Sequence, residues 1–238
     1  MNLGSALELI GATQLRNRAG DGGCVSNDGF CPDWISSNYQ RYETPLVEHV
    51  VLTISSVGIG FIIAFSLALL AHRRQWLVGP VTGVTGALYT IPSVAFFFLL
   101  QPLTGLGKTT AIVALTSYTL LIIFRNVTTG LQAVPADAKD AARGMGLTEN
   151  QVLWRVELPL ATPEILAGLR IATTTTVALA ALAYLAGGGG LGDTLNQQRY
   201  FKSNVVVAGG LCVLLAASLD VIILTVQRYV TSWQRAGV

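Results

Sequence analysis

The sequence predicts an all-α integral membrane protein, five transmembrane helices with one polar helix–turn–helix loop between the third and the fourth. Three observations predict it. Of the 238 residues 52% are hydrophobic and only 12% charged, against about a quarter charged in soluble domains, and mean hydropathy is +0.56. The apolar residues gather in long runs rather than at amphipathic spacing. The longest stretch between residues 45 and 230 that cannot sit in a bilayer is Asp140–Pro159.

Residues 1–46 read as a polar N-terminal tail ahead of the membrane domain. Leu3–Leu15 has the pattern of a short helix, too short to span, and Met1–Gln14 has neither the basic start nor the apolar core of a signal peptide. Insertion is therefore expected to rely on the first span. Cys24 and Cys31 flank six residues that include the turn formers Asn27, Asp28 and Gly29. In an oxidising compartment they would close a local disulfide and in a reducing one they stay thiols; the sequence leaves both open. Trp34, Tyr39 and Tyr42 carry rings suited to a membrane–water boundary.

The membrane domain is 47–230. Its first span is Val47–Ala71, closed by His72-Arg73-Arg74, and its second is Val81–Leu103, with Pro92 in the middle. The third, Thr109–Phe124, needs Asn126–Leu131 to continue the helix inward. After a loop at 132–164 come Ile165–Ala186 and Val205–Val226, then a tail at 231–238. Such runs match a hydrocarbon core of roughly 30 Å crossed at about 1.5 Å per residue. Gly105-Leu106-Gly107-Lys108-Thr109-Thr110 ends like a P-loop, but Pro102 stands where that loop needs its first glycine. It reads as a turn between spans. A net charge of +2, without basic runs, gives no footing for a nucleic-acid partner.

The polar loop reads as two short helices. Ala136–Gly144 is rich in small residues, and Thr148–Val156 follows a turn at Gly146. Thr148 with Gln151 makes a capping-box pattern, and Pro159 is expected to stop the second helix. The spacing Asp140-Ala141-Ala142, three residues, Gly146, nine residues, Val156, one residue, Leu158-Pro159 resembles the cytoplasmic signature of binding-protein-dependent ABC importer permeases. Asp replaces the usual Glu and Val the usual Ile. The resemblance implies a coupling helix that docks on a separate ATPase subunit through Asp140, Ala141, Ala142, Gly144, Gly146, Leu147, Val156, Leu158 and Pro159. It implies no catalysis by this chain and no cofactor of its own, since ATP is bound by the partner.

With the knob in the cytoplasm, five spans put the N-terminus outside and the C-terminus inside. Nine Lys and Arg then lie inside and six outside, a bias that sharpens when only short loops and span ends are counted.

Pro92 frees the Leu88 carbonyl and should kink the second span, making Pro92, Tyr89 and one of Phe96–Phe98 candidates for a pathway wall, where aromatic faces can hold a quaternary ammonium. Plain packing of these rings is the alternative. Thr173 and Thr176, in a run of four threonines after Ala167-Gly168, either line a cavity or pack a helix contact. Gly187–Gly190 is expected to be an external loop of low stiffness, an outer gate or an ordinary turn. Asp220 lies inside the fifth span and is expected to pair with Arg125, to be protonated or to reach the inner interface. Cys212 reads as filler.

Tyr89-Thr90-Ile91-Pro92-Ser93, Phe124-Arg125-Asn126, Val156-Glu157-Leu158-Pro159-Leu160 and Gly188-Gly189-Gly190-Leu191-Gly192 are similar to blocks of the osmoprotectant permeases, over roughly residues 45–230. The implied partners are a second permease, two ATPase subunits and an external substrate-binding protein. The implied cargo is glycine betaine, proline betaine, carnitine or choline. Permeases for amino acids or methionine share the coupling signature. An ion-driven carrier would want more intramembrane ionisable groups than Asp220.

Overall fold

The computed structural model describes Cys24 and residues 28–231. The expected helix at Leu3–Leu15 and nearly all of the 231–238 tail lie outside the described residues. Helix α1 (Pro32–Ser37) leads into α2 (Glu43–Arg73), whose proline, Pro45, falls in the first turn, where a missing N–H costs nothing. Then follow α3 (Val78–Thr90), α4 (Ser93–Thr104), α5 (Lys108–Gln132), α6 (Ala136–Gly144) and α7 (Glu149–Val152). A π turn (Leu153–Glu157) joins α7 to α8 (Leu158–Ala180), and α9 (Leu191–Gln197) and α10 (Lys202–Val230) complete the chain.

Helix α5 is the axis of the packing, lying against α2 and α8 and touching α3 and α4. Two close approaches explain why. A Cβ on Gly60 of α2 would fall 1.8 Å from the Thr119 hydroxyl, and one on Gly168 of α8 would fall 2.4 Å from Asn126 Cβ. Small residues let these helices meet backbone to side chain. Apolar cores fill both ends of the trio, with Phe124, Leu131, Ala68 and Leu158 toward the knob and Leu52, Phe97, Leu115 and Ala180 at the far end.

Among the described residues, three helices are long and apolar enough to cross a membrane: Tyr39–Arg73, Lys108–Gln132 and Lys202–Val230. The pair Gln75–Thr90 and Ser93–Thr104 makes a fourth if taken as one span. Helix α8 is long enough at 23 residues, but Glu164, Arg170 and five threonines lower its hydropathy.

The second predicted span is broken rather than kinked, with a bend of 100° between its halves. Proline pushes the residue before it into extended geometry, and Ile91 at ψ 126° and Pro92 at ψ 130° leave the helix together. The helix at the predicted fourth span starts earlier and ends sooner than the expected Ile165–Ala186, because Ala183–Ala186 is a separate 3-10 turn. Pro159 does not stop the second knob helix. It falls in the first turn of α8, directly after the π turn, whose wider register accommodates the proline ring.

Gly60→Val should lower stability by about 1–3 kcal/mol, as overpacking does, whereas Gly58→Val, with nothing within 4 Å of its Cβ, should change little. Unfolding titrations of the detergent-solubilised protein would check this.

Candidate functional site

The knob is built as its sequence prescribes locally. Pro135 caps α6 with extended geometry, and Ala142 alone of this helix is buried. Gly146 takes φ +86°, so the chain can reverse, and its N–H donates to the Arg143 carbonyl at 2.8 Å. The Leu147 N–H donates to the Ala142 carbonyl at 3.2 Å. Thr148 and Gln151 close the capping box in both directions, at 2.8 and 3.4 Å. Asp140, Ala141, Gly144 and Gly146 face solvent, Leu147 and Val156 are half-buried, and Leu158 is buried. Leu158 and the exposed Pro159 line an apolar groove with Phe65, Trp154 and Ile165.

Arg143 braces the turn from outside, donating to Asp140 Oδ1 at 3.0 Å and to both Glu149 oxygens at 2.9 and 3.2 Å. Those hydrogen bonds from Arg143 hold the Glu149 carboxyl below its usual range. Since the folded value is the depressed one, the brace acts above the ordinary carboxylate value and is lost as pH falls through the folded value. Glu157, two residues before Pro159, is buried beside His72 and Lys139.

At the bend, Tyr89, Pro92 and Phe96 are brought together around a residue the sequence reading passes over. Tyr118 of α5 meets Tyr89 edge-on at 5.9 Å and Phe96 at 5.7 Å. Its hydroxyl donates to the Ile91 carbonyl at 2.5 Å, satisfying the backbone where the helix breaks. The Leu88 carbonyl, expected to be freed, accepts from the Ile91 N–H at 3.3 Å. Phe96 and Phe97 are buried, while Tyr89 and Phe98 keep exposed faces. A hydroxyl-bearing ring in an apolar run was the available signal for Tyr118.

Thr173 and Thr176 lie apart from that cluster. Both are buried, their hydroxyls donating back to Leu169 and Ala172 of their own helix at 2.8 and 2.7 Å. Asp220 pairs with Arg170, not Arg125: Nε and Nη2 donate to the two carboxylate oxygens at 2.8 Å each. The correction follows from the packing, because the main neighbour of α10 is α8 and Arg125 points from an exposed position on α5.

At the opposite end from the knob, Gly187–Gly190 is fastened rather than loose. The Gly190 N–H donates to Glu48 Oε2 at 3.1 Å, and Lys108, the residue of the P-loop decoy, stands 2.9 Å from Glu48 Oε1. A Cβ on Gly188 would press on Ala111 at 2.8 Å and one on Gly189 on Glu48 at 2.4 Å. His49, fully buried, reaches the Val177 carbonyl at 3.0 Å. Cys24 and Cys31 form a disulfide at this end, where the Cys31 N–H donates to Ser203 at 2.7 Å.

A bundle of membrane-length helices with a braced polar knob is the architecture of a transporter's membrane subunit. Residues 56–235 match the family of binding-protein-dependent transport system inner membrane components, and the chain belongs to that family. It is 38% identical over 191 residues to the osmoprotectant import permease protein OsmW of Salmonella typhimurium, covering 77% of this chain and 89% of that one. It is 34% identical over 186 residues to the choline transport system permease protein OpuBB of Bacillus subtilis, covering 77% and 86%. The glycine betaine/carnitine/choline transport system permease protein OpuCB of the same organism is 35% identical over 186 residues, with the same coverage. Among solved structures, the MetNI methionine ABC transporter in its inward-facing conformations matches with a TM-score of 0.73 at 25% identity, over 80% of this chain and 96% of that one. An amino acid ABC transporter with histidines shares the fold at a TM-score of 0.68 and 16% identity, over 82% and 96%.

Two outcomes follow. Arg143→Ala should speed hydrogen exchange at the Leu147 amide several-fold at neutral pH, and the difference from wild type should vanish well below pH 4.5, the ordinary Glu value. Asp220→Asn should cost about 1–3 kcal/mol by leaving Arg170 unpaired among apolar helices, discounted for partial exposure. The double variant Arg170→Leu with Asp220→Leu should recover most of that loss in the same unfolding titration.

Proposed function

We propose that this chain is the membrane-spanning half of an ATP-driven importer for osmoprotectants of the quaternary-amine class, such as glycine betaine, carnitine and choline. It hydrolyses nothing. A separate ATPase subunit grips the knob, a second permease copy or homologue completes the pathway, and an external binding protein delivers the cargo. The observation that carries the coupling role is the braced knob, which presents Asp140, Ala141, Gly144 and Gly146 outward and fastens them with Arg143 and the Thr148 capping box. The names of the relatives above support the cargo class; the methionine and amino acid transporters are more distant in sequence.

Five spans cross the membrane in this reading, α8 among them, because Asp220 neutralises the Arg170 charge that lowers its hydropathy. The N-terminus is outside and the knob inside. The Cys24–Cys31 disulfide supports that orientation, since such bonds persist in oxidising compartments. Tyr89 and Pro92 face the pathway, with the buried rings of Phe96 and Tyr118 behind them. Thr173, Thr176 and Asp220 hold the helices that frame it. An ion-driven cycle is disfavoured, because Asp220 is held in a two-pronged ion pair.

The test is reconstitution with the ATPase and binding-protein partners. Binding protein loaded with glycine betaine, carnitine or choline should stimulate ATP hydrolysis, and methionine should not. Ala141→Arg places a bulky charge on the exposed knob face without disturbing the fold, and should abolish co-purification of the ATPase. Stimulation by methionine alone would transfer the chain to the other cargo class.

A further inference from the structure

Glu157 occupies the position of the importer signature that accepts any residue, yet it is the one buried carboxylate among the described residues. Its Oε2 lies 2.6 Å from His72 Nε2 at the end of α2. Its Oε1 lies 3.7 Å from Lys139 Nζ of α6. A single carboxylate thus touches the inner end of the first long helix and the first knob helix, from the π turn that joins the knob to α8. The neighbouring α2 residue repeats the tie, since the Arg73 guanidinium donates to Asn150 Oδ1 of α7.

We propose that Glu157 is a positioning residue, a latch that makes α2 move with the knob; the inference rests on the coupling role proposed above. Packing does not account for this carboxylate. Leu153, Leu158 and Ala71 form an apolar core around the junction, and an apolar side chain would fill the site without the desolvation that a charge suffers there. What the charge adds is a directional hold, strengthened by its low-dielectric surroundings. The placement in a π turn fits, because such turns re-aim a side chain within a helix and recur at functional places.

The latch also has somewhere to send motion. Helix α2 is continuous for 31 residues, and its other end holds the glycine loop through Glu48 and the end of α8 through His49. A displacement of the knob, passed to α2 at His72, reaches Gly190 through one unbroken helix. Helix α8 carries the same displacement directly, so the two long helices flanking α5 shift together.

The test uses the full complex in proteoliposomes, measuring ATP hydrolysed per substrate imported alongside co-purification of the ATPase. Glu157→Gln should retain the ATPase but raise ATP used per substrate about threefold or more, the scale of energies carried by such contacts. His72→Gln should give the same rise, and the double variant no further rise, whereas additive effects would overturn the direct pairing. The exchanged pair Glu157→His with His72→Glu should bring the ratio back, a recovery that a merely structural role would not produce. If Glu157→Gln does not fold, His72→Gln at the end of α2 carries the test alone. An unchanged ratio in both single variants, with ATPase binding still abolished by Ala141→Arg, overturns the latch and leaves the coupling role standing. Retention of the ATPase by Ala141→Arg overturns the coupling role itself, and the latch with it.

Discussion

The rest of the structure depends on backbone continuity between the knob and the helix bundle. From Glu149 onward α7, the π turn and α8 follow without a loop, so the knob is the leading end of a long packed helix. A flexible linker there would dissipate any push as local bending. A continuous helix has no such joint, and α8 meets its neighbours through contacts that leave no slack. Gly130 and Gly168 bring α5 and α8 too close for even a Cβ, and Arg170 binds α10 in two-pronged fashion. Close-packed helices of this kind shift as bodies rather than deform.

A second constraint acts wherever the helices break. Backbone and charged groups cannot be left bare in an apolar setting, and the bend at Pro92 and the turn at Ala183–Ala186 both draw partners from other elements. Tyr118 covers the Ile91 carbonyl at the bend, Gln101 donates to the Leu185 carbonyl at 2.9 Å, and the Ala186 carbonyl accepts from the Gly107 N–H at 2.6 Å. These partners pin irregular segments that would otherwise be mobile. They also concentrate irregular backbone at the bend beside the aromatic cluster and at the end opposite the knob.

Local chemistry was legible in the sequence, and long-range pairing was not. The helix–Gly146–capping-box order of the knob follows from residues within a few positions of one another, as does the pause at Pro92. The size of the bend is not local: 100° needs Tyr118, from a distant helix, to satisfy the opened backbone. Pro159 misleads because a stop signal assumes an α register, and the π turn removes that assumption. Asp220 finds Arg170 because α8 lies beside α10, an adjacency that no spacing encodes. The glycine run reads as loose for want of side chains, yet that same lack lets Ala111 and Glu48 close upon it. Glu157 was invisible for a related reason: its partners come from α2 and α6, and its own position carries no pattern.

The account as a whole turns on which side of the membrane the knob occupies, and sidedness labelling tests that most directly. In a Cys212→Ala background, single cysteines at Glu149 and at Tyr200 would be exposed to a membrane-impermeant maleimide in intact cells. The account predicts labelling of Tyr200→Cys at once and of Glu149→Cys only after the membrane is opened. Labelling of Glu149→Cys from outside intact cells would contradict it.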